Sequence, residues 1–231
     1  MKVAIMQPYF FPYLGYFQLI NSVDVFVVYD NIKYVKKTWF NRNRLLQNGK
    51  SEYFTISLKK ESDFLNVFDR TISQEYNRKK LIAKFQNAYT SAPYKKEIMP
   101  LLEKIVNYEN NNLFEYLLNS IKETCHTLDI KTKIIISSSI GVDHNLRSSK
   151  KVIAICKNLN ARTYVNPIGG LELYKNEEFK ENNLELKFIK SNQIKYKQFD
   201  NEFVPWLSII DVLMLNGVDN TKKLLGECIL I

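Results

Sequence analysis

The chain has 231 residues, 45 % of them hydrophobic and 25 % charged, with a formal net charge of +9. That is enough chain for a sizeable core in one large unit or two small ones, in a globular protein of ordinary composition. No stretch approaches the roughly 18 apolar residues of a membrane span, no basic-then-apolar signal segment opens the chain, and the expected location is cytoplasmic. Three scattered cysteines (Cys125, Cys156, Cys228) without CxxC spacing argue against a disulfide framework and against zinc, so no metal site is expected.

In chain order, KVAIM is a short β-prone run. MQPYFFPYLGYF then spends prolines, aromatics and a glycine on a turn before a helix begins. NSVDVFVVYD is a second strand, ending at Asp30. NRNRLLQ and SEYFTISL flank Asn48-Gly49, a two-residue hairpin signal because both positions must take positive φ. From residue 75 to 130 the apolar spacing turns helical in LIAKFQNAY, IMPLLEKIV and LFEYLLNSI, broken at Ser91-Ala92-Pro93 and at Asn110-Asn111-Asn112. KIIISSS returns to strand. SKKVIAICKNL is a helix that Ser148 or Ser149 is placed to cap. RTYVN is a strand, PIGG a turn and LELKFIK a strand, and FVPWLSIIDVLMLNG and NTKKLLGECI close the chain as helices. This alternation predicts an α/β fold with a parallel sheet, read as one unit over residues 1–231 with a helical subdomain inserted at 75–130.

Ligands of open α/β sheets bind beyond the carboxyl ends of the strands, and the polar clusters fall at such ends. After the first strand stand Gln7, Tyr9, Tyr13, Gly15 and Tyr16; buried tyrosine hydroxyls need partners, although the aromatics also suit a core. After the second come Asp30 and the WFNRNR segment with Trp39, Asn41, Arg42 and Asn43. An arginine between two amides and beside a tryptophan suits a phosphate or carboxylate held bidentately, the alternative being a solvated hairpin edge. The turn and this segment are expected to face one cavity. Ser138 lies in a serine run without a GxSxG elbow, which argues against a serine nucleophile. Asn166, Gly169 and Gly170 form a turn that would let backbone approach a ligand. Asp211 is a carboxylate inside an apolar helix, costly unless paired, and so either structural or facing the pocket. His144 sits in the polar stretch GVDHNLRSSK, where a surface role is the simpler reading. Lysines and arginines occur throughout without a zinc-finger or recognition-helix signature. A basic surface suits anionic small molecules equally well, a bias of composition is the other reading, and nucleic acid is not the expected partner.

IMQPYFFPYLGYFQLI, WFNRNR, YVNPIGG with Tyr174 and Phe179 downstream, and FVPWLSIIDVLMLNG together resemble the WbqC-like family over nearly the whole chain. The resemblance implies an association with bacterial O-antigen and polysaccharide clusters, and a role as a glycine transferase acting on an amino sugar. The opening turn is also similar to the strand–turn–helix junction of nucleotidyltransferase-like enzymes, with Tyr13-Leu14-Gly15-Tyr16 where those carry HxGH. The fold expected on that analogy is nucleotidyltransferase- or Rossmann-like, with Gly15 near phosphates; without the histidines, adenylation is not expected.

The function expected is acylation or aminoacylation of the amine of a nucleotide-linked amino sugar, from an acyl or amino-acid donor. ATP with Mg²⁺ enters only if the donor is activated here. Asp211, Asp30 and Tyr16 are the expected proton acceptors. Arg42 with Asn41 and Asn43 would hold an anion, Trp39 or Tyr9 would stack on a base or sugar, and Gly169-Gly170 would cradle the diphosphate. Two other readings stand beside it, a non-catalytic sugar-nucleotide-binding partner and a nucleic-acid-binding protein.

Overall fold

The computed structural model describes residues 1–231. Strand β1 (Lys2–Met6) leads through the aromatic turn into helix α1 (Leu14–Asn21) and strand β2 (Val25–Val28). A hairpin of β3 (Arg42–Gln47) and β4 (Lys50–Thr55) follows, then helices α2 (Arg78–Ala88), α3 (Lys95–Val106) and α4 (Leu113–Thr127). The chain returns through β5 (Lys133–Ile136), α5 (Ser148–Asn158), β6 (Thr163–Pro167), α6 (Asn176–Lys180), β7 (Glu185–Ser191), α7 (Ile209–Leu224) and β8 (Cys228–Leu230).

The main sheet runs β5-β2-β1-β6-β7-β8, parallel throughout except that β8 is antiparallel to β7. Numbered along the chain, its six strands stand in the order 3-2-1-4-5-6, the doubly wound Rossmann-like arrangement. Alternation along the central strands sets the two faces. Val3, Ile5, Val25 and Val27 pack with Ile155 and Cys156 of α5 and Phe179 of α6. Ala4, Phe26 and Val28 face the other way, into a cluster shared with α1, the helices of the 75–130 block and α7. Helices α2, α3 and α4 stand where the helical spacing of 75–130 places them, after the β3–β4 hairpin and before β5, and share that core cluster with the sheet.

Local signals account for most boundaries. Asn48 (φ 51°) and Gly49 (φ 72°) make the tight hairpin turn. Asn77 caps α2 by accepting from the Lys80 amide, and Asn112 caps α4 by accepting from the Glu115 amide. The C-terminal region departs from expectation. Residues 203–208 are not helical: Trp206 turns the chain at φ 60°, and Ser208 caps α7 by accepting from the Ile210 amide. The two expected helices meet at Gly217, whose φ of 72° and ψ of 175° break the helical backbone within Ile209–Leu224, and the last residues form an edge strand in place of a helical end. Ser148 and Ser149 do not cap α5: the helix begins at Ser148, and its N-cap is Arg147, which makes no side-chain cap.

Candidate functional site

Order 3-2-1-4-5-6 means that connections leave β1 toward β2 and cross back to β6, so the loops after β1 and β6 diverge. A cavity of about 460 Å³ lies in that crevice, within the size range of small-molecule sites. Gln7 and Tyr9 reach it from the β1 end, Tyr29 and Asn31 from the β2 end, Asn166, Gly169, Gly170 and Tyr174 from the β6 end, and Arg147, Ser148 and Lys151 from the start of α5.

Lys151 is the sharpest feature of the wall. It is only 8 % exposed, it makes no ion pair, and its Nζ donates to Asn31 Oδ1 at 3.1 Å while lying 5.2 Å from the Tyr29 ring centroid. Burial and the neighbouring Arg147 charge push its pKa down, and Asp30 draws it part-way back. Asp30 itself is buried and committed elsewhere: Ser137 Oγ donates to its Oδ1 at 2.7 Å and the Ser138 amide at 3.0 Å. Burial pushes that carboxyl up, but the serine hydrogen bonds outweigh it and hold the pKa below the usual range. Asn31 also donates from Nδ2 to His144 Nδ1, 2.9 Å away.

The β6 turn is shaped by contact. A Cβ on Gly170 would lie 2.0 Å from Asn166 Nδ2, whereas Gly169 has open space around it. Asn166 is buried and its Oδ1 accepts from the Tyr164 hydroxyl at 3.1 Å. Across the cavity, the Tyr9 hydroxyl donates to Gln7 Oε1 at 3.3 Å, and burial pushes its pKa up to about 12.

The structure thus brings together Gln7, Tyr9, Asn166, Gly169 and Gly170, with Asp30 and Ser138 directly behind. The other candidates lie outside the cavity, each for a visible reason. Asp211 is wholly buried and accepts from the Tyr89 hydroxyl (2.8 Å), the Tyr196 hydroxyl (2.7 Å) and Gln198 Nε2 (2.8 Å), so its partners are phenols and an amide that fasten α7 to α2 and the 194–198 segment. Tyr16 is buried, and its hydroxyl donates to the Gln7 carbonyl at 2.8 Å, bracing the turn from beneath. Tyr13 packs edge-on to Trp206, and a Cβ on Gly15 would meet the Tyr13 ring at 2.4 Å: protein atoms fill the space above that glycine.

The WFNRNR segment and the opening turn are neighbours, but through backbone and core. Asn43 Nδ2 donates to the carbonyls of Phe10 (2.9 Å) and Phe11 (2.8 Å), and the Phe10 amide donates to the Trp39 carbonyl at 3.0 Å. Asn41 accepts from the Tyr34 hydroxyl and donates to the Ile56 carbonyl. Arg42 lies over the Tyr53 ring and donates to the Lys37 carbonyl, and Trp39 stacks on Tyr53. The segment supports the turn from behind and lines no part of the cavity.

A WbqC-like protein family model matches residues 7–223. The chain belongs to the WbqC-like family. It is also 28 % identical over 226 residues, 94 % of this chain and 95 % of the other, to an uncharacterised protein of Mycobacterium tuberculosis, Rv1507c. No solved structure matches it significantly. No helix is long and apolar enough to cross a membrane. For this WbqC-like chain, sequence reasoning missed Tyr29, Asn31, Arg147, Ser148 and Lys151. Nothing in the spacing marks a lysine one turn into an amphipathic helix as buried; only the parallel crossover from β5 to β6 swings it over the crevice.

Proposed function

We propose that this WbqC-like protein is a transferase that acylates or aminoacylates, with glycine as the leading donor, the amine of a nucleotide-linked amino sugar in O-antigen or surface-polysaccharide biosynthesis, and that the nucleotide sugar binds in the cavity between the ends of β1 and β6. The family supports the reaction class through the resemblance set out above. The carrying observation is the place of the cavity at the topological switch point of a Rossmann-like sheet.

In this reading the turn after β6 approaches the ligand with backbone at Gly169, Tyr9 and Tyr29 offer ring faces and hydroxyls, and Asp30 acts as a positioning residue through Ser137 and Asn31. No group of three His, Cys, Asp or Glu side chains stands placed to hold a metal, so Mg²⁺ would come with ATP if the donor is activated on this chain. One observation favours the second reading, a non-catalytic sugar-nucleotide binder: the cavity wall has no carboxylate and no imidazole. Incubation with UDP- and dTDP-linked amino sugars, glycine and ATP separates the two. A mass gain on the sugar supports the transferase; saturable binding without a mass gain supports the binder. Binding of none of these sugars sinks both.

A further inference from the structure

Rossmann-like sheets usually hold a ligand's phosphates at the glycine-rich turn after the first strand. In this chain that turn is closed, because the Tyr13 ring covers Gly15 and the rings of Phe10 and Phe11 are buried. The cations face the crevice from the opposite wall. Arg147, Ser148 and Lys151 all line the cavity at the start of α5, an 11-residue helix whose first turn has no side-chain cap and no acidic residue. The free amides there and the helix dipole favour an anion. The second observation is independent of the helix end: Lys151 is 8 % exposed, aims its ammonium at the cavity wall, and has a neutral amide, not a carboxylate, as its hydrogen-bond partner. The nearest carboxylate, Asp30, makes no ion pair with it and is held by Ser137 and Ser138, and a buried cation so placed is costly unless something anionic completes it. Ser148, between the two cations, holds φ at +50°, strain of the kind that gathers at ligand clamps.

We propose that the start of α5 is the phosphate subsite of the cavity, with Lys151 as the buried charge, Arg147 as the outer one and the amides of the first helical turn as donors, taking a diphosphate such as that of a nucleoside-diphosphate sugar. The assignment deepens the proposed function and rests on it for the identity of the whole ligand; the subsite itself needs only a diphosphate. It displaces Arg42 as the anion-holding arginine and leaves the Gly169-Gly170 turn to the rest of the ligand.

The test is calorimetric titration of the full chain with inorganic pyrophosphate and, separately, with a UDP-linked amino sugar. The wild type should bind pyrophosphate, in competition with the nucleotide sugar. Lys151→Met should weaken pyrophosphate binding about tenfold or more, the loss of one charge-assisted contact. Arg147 is exposed and its loss opens no cavity, so Arg147→Met supplies a variant whose folding is not at issue and should also weaken binding. Lys187→Met, on an outer groove of the sheet, should bind as the wild type does. No pyrophosphate binding by the wild type, or undiminished binding by both Lys151→Met and Arg147→Met at unchanged melting temperature, overturns the subsite. If the nucleotide sugar still binds while pyrophosphate does not, the subsite falls and the proposed function stands. If pyrophosphate binds with the expected dependence on Lys151 and no nucleotide sugar does, the subsite stands and the proposed function falls.

Discussion

Asn31 has one amide to satisfy three neighbours, and a charged Lys151 accepts only one orientation of it. An ammonium can only donate, so Oδ1 faces Lys151 and Nδ2 faces His144, whose Nδ1 must then accept. Ser137 has one proton to share between Asp30 at 2.7 Å and Asn31 at 2.9 Å, and the charged carboxylate takes it. The ring proton of His144 is therefore expected on Nε2, readable from its side-chain ¹⁵N shifts and assigned with His144→Gln; a proton on Nδ1 would mean that the amide is turned the other way. Burial raises the pKa of Asp211, with the hydrogen bonds from Tyr196, Tyr89 and Gln198 drawing it part-way back. A carboxyl with a raised folded pKa contributes stability that is full below its unfolded value and is lost as pH rises through the folded one. The stability difference between wild type and Asp211→Asn should accordingly grow in favour of wild type as pH falls from neutrality toward the ordinary carboxylate range. Urea denaturation at a series of pH values measures it, and a flat difference would show that the carboxyl titrates normally. Asp211→Ala leaves three buried donors unmet and should cost at least about 3 kcal/mol, with nucleotide-sugar affinity unchanged, because Asp211 lies outside the cavity.

Gly217 kinks α7 at φ 72° and ψ 175°, a region open almost only to glycine, and a Cβ there would come within 2.6 Å of the Tyr94 ring. Gly217→Ala should cost about 1–3 kcal/mol, seen as a lower urea midpoint at unchanged slope; no loss would show that the kink relaxes freely. In the turn after β6, Gly170→Ala pushes on Asn166 and should lower both stability and ligand affinity, while Gly169→Ala, with open space around it, should leave stability within about 0.5 kcal/mol and weaken only the binding of the ligand that approaches there. Equal effects would contradict the shape assigned to that turn. The elements legible in the sequence are those set by local chemistry: the hairpin at Asn48-Gly49, the capped helices of the 75–130 block, and the strands of the parallel sheet. The edge strand Cys228–Leu230 was not legible, since LLGECI has helical spacing and only its pairing with β7, Ile189 to Leu230, makes it a strand. Half of the site was legible for the same reason. Gln7, Tyr9 and Gly169-Gly170 follow strands and Asn166 stands near the end of one, whereas Asn31, Arg147 and Lys151 become neighbours only through the crossover.

At the scale of the whole molecule, the chain order of the strands decides where chemistry sits. The sheet splits its connections at β1 and β6, the aromatic turn seals one wall of the crevice, and α5 brings cations to the other. The net charge of +9 adds a long-range attraction for anions, so ligand binding should weaken with salt. It should still saturate at one site per chain, unlike the steep salt dependence of a surface that neutralises many DNA phosphates. Arg42→Lys should bind the nucleotide sugar as the wild type does, because that guanidinium rests on Tyr53 behind the turn. One ligand is expected to occupy the crevice between β1 and β6, and a crystal structure of the protein soaked with a UDP- or dTDP-linked amino sugar shows whether it does. Density for the diphosphate should lie within hydrogen-bonding distance of Lys151 and the first turn of α5, with the rest of the ligand reaching toward Gly169. A ligand bound over the β3–β4 hairpin, against Trp39 and Arg42, would contradict it.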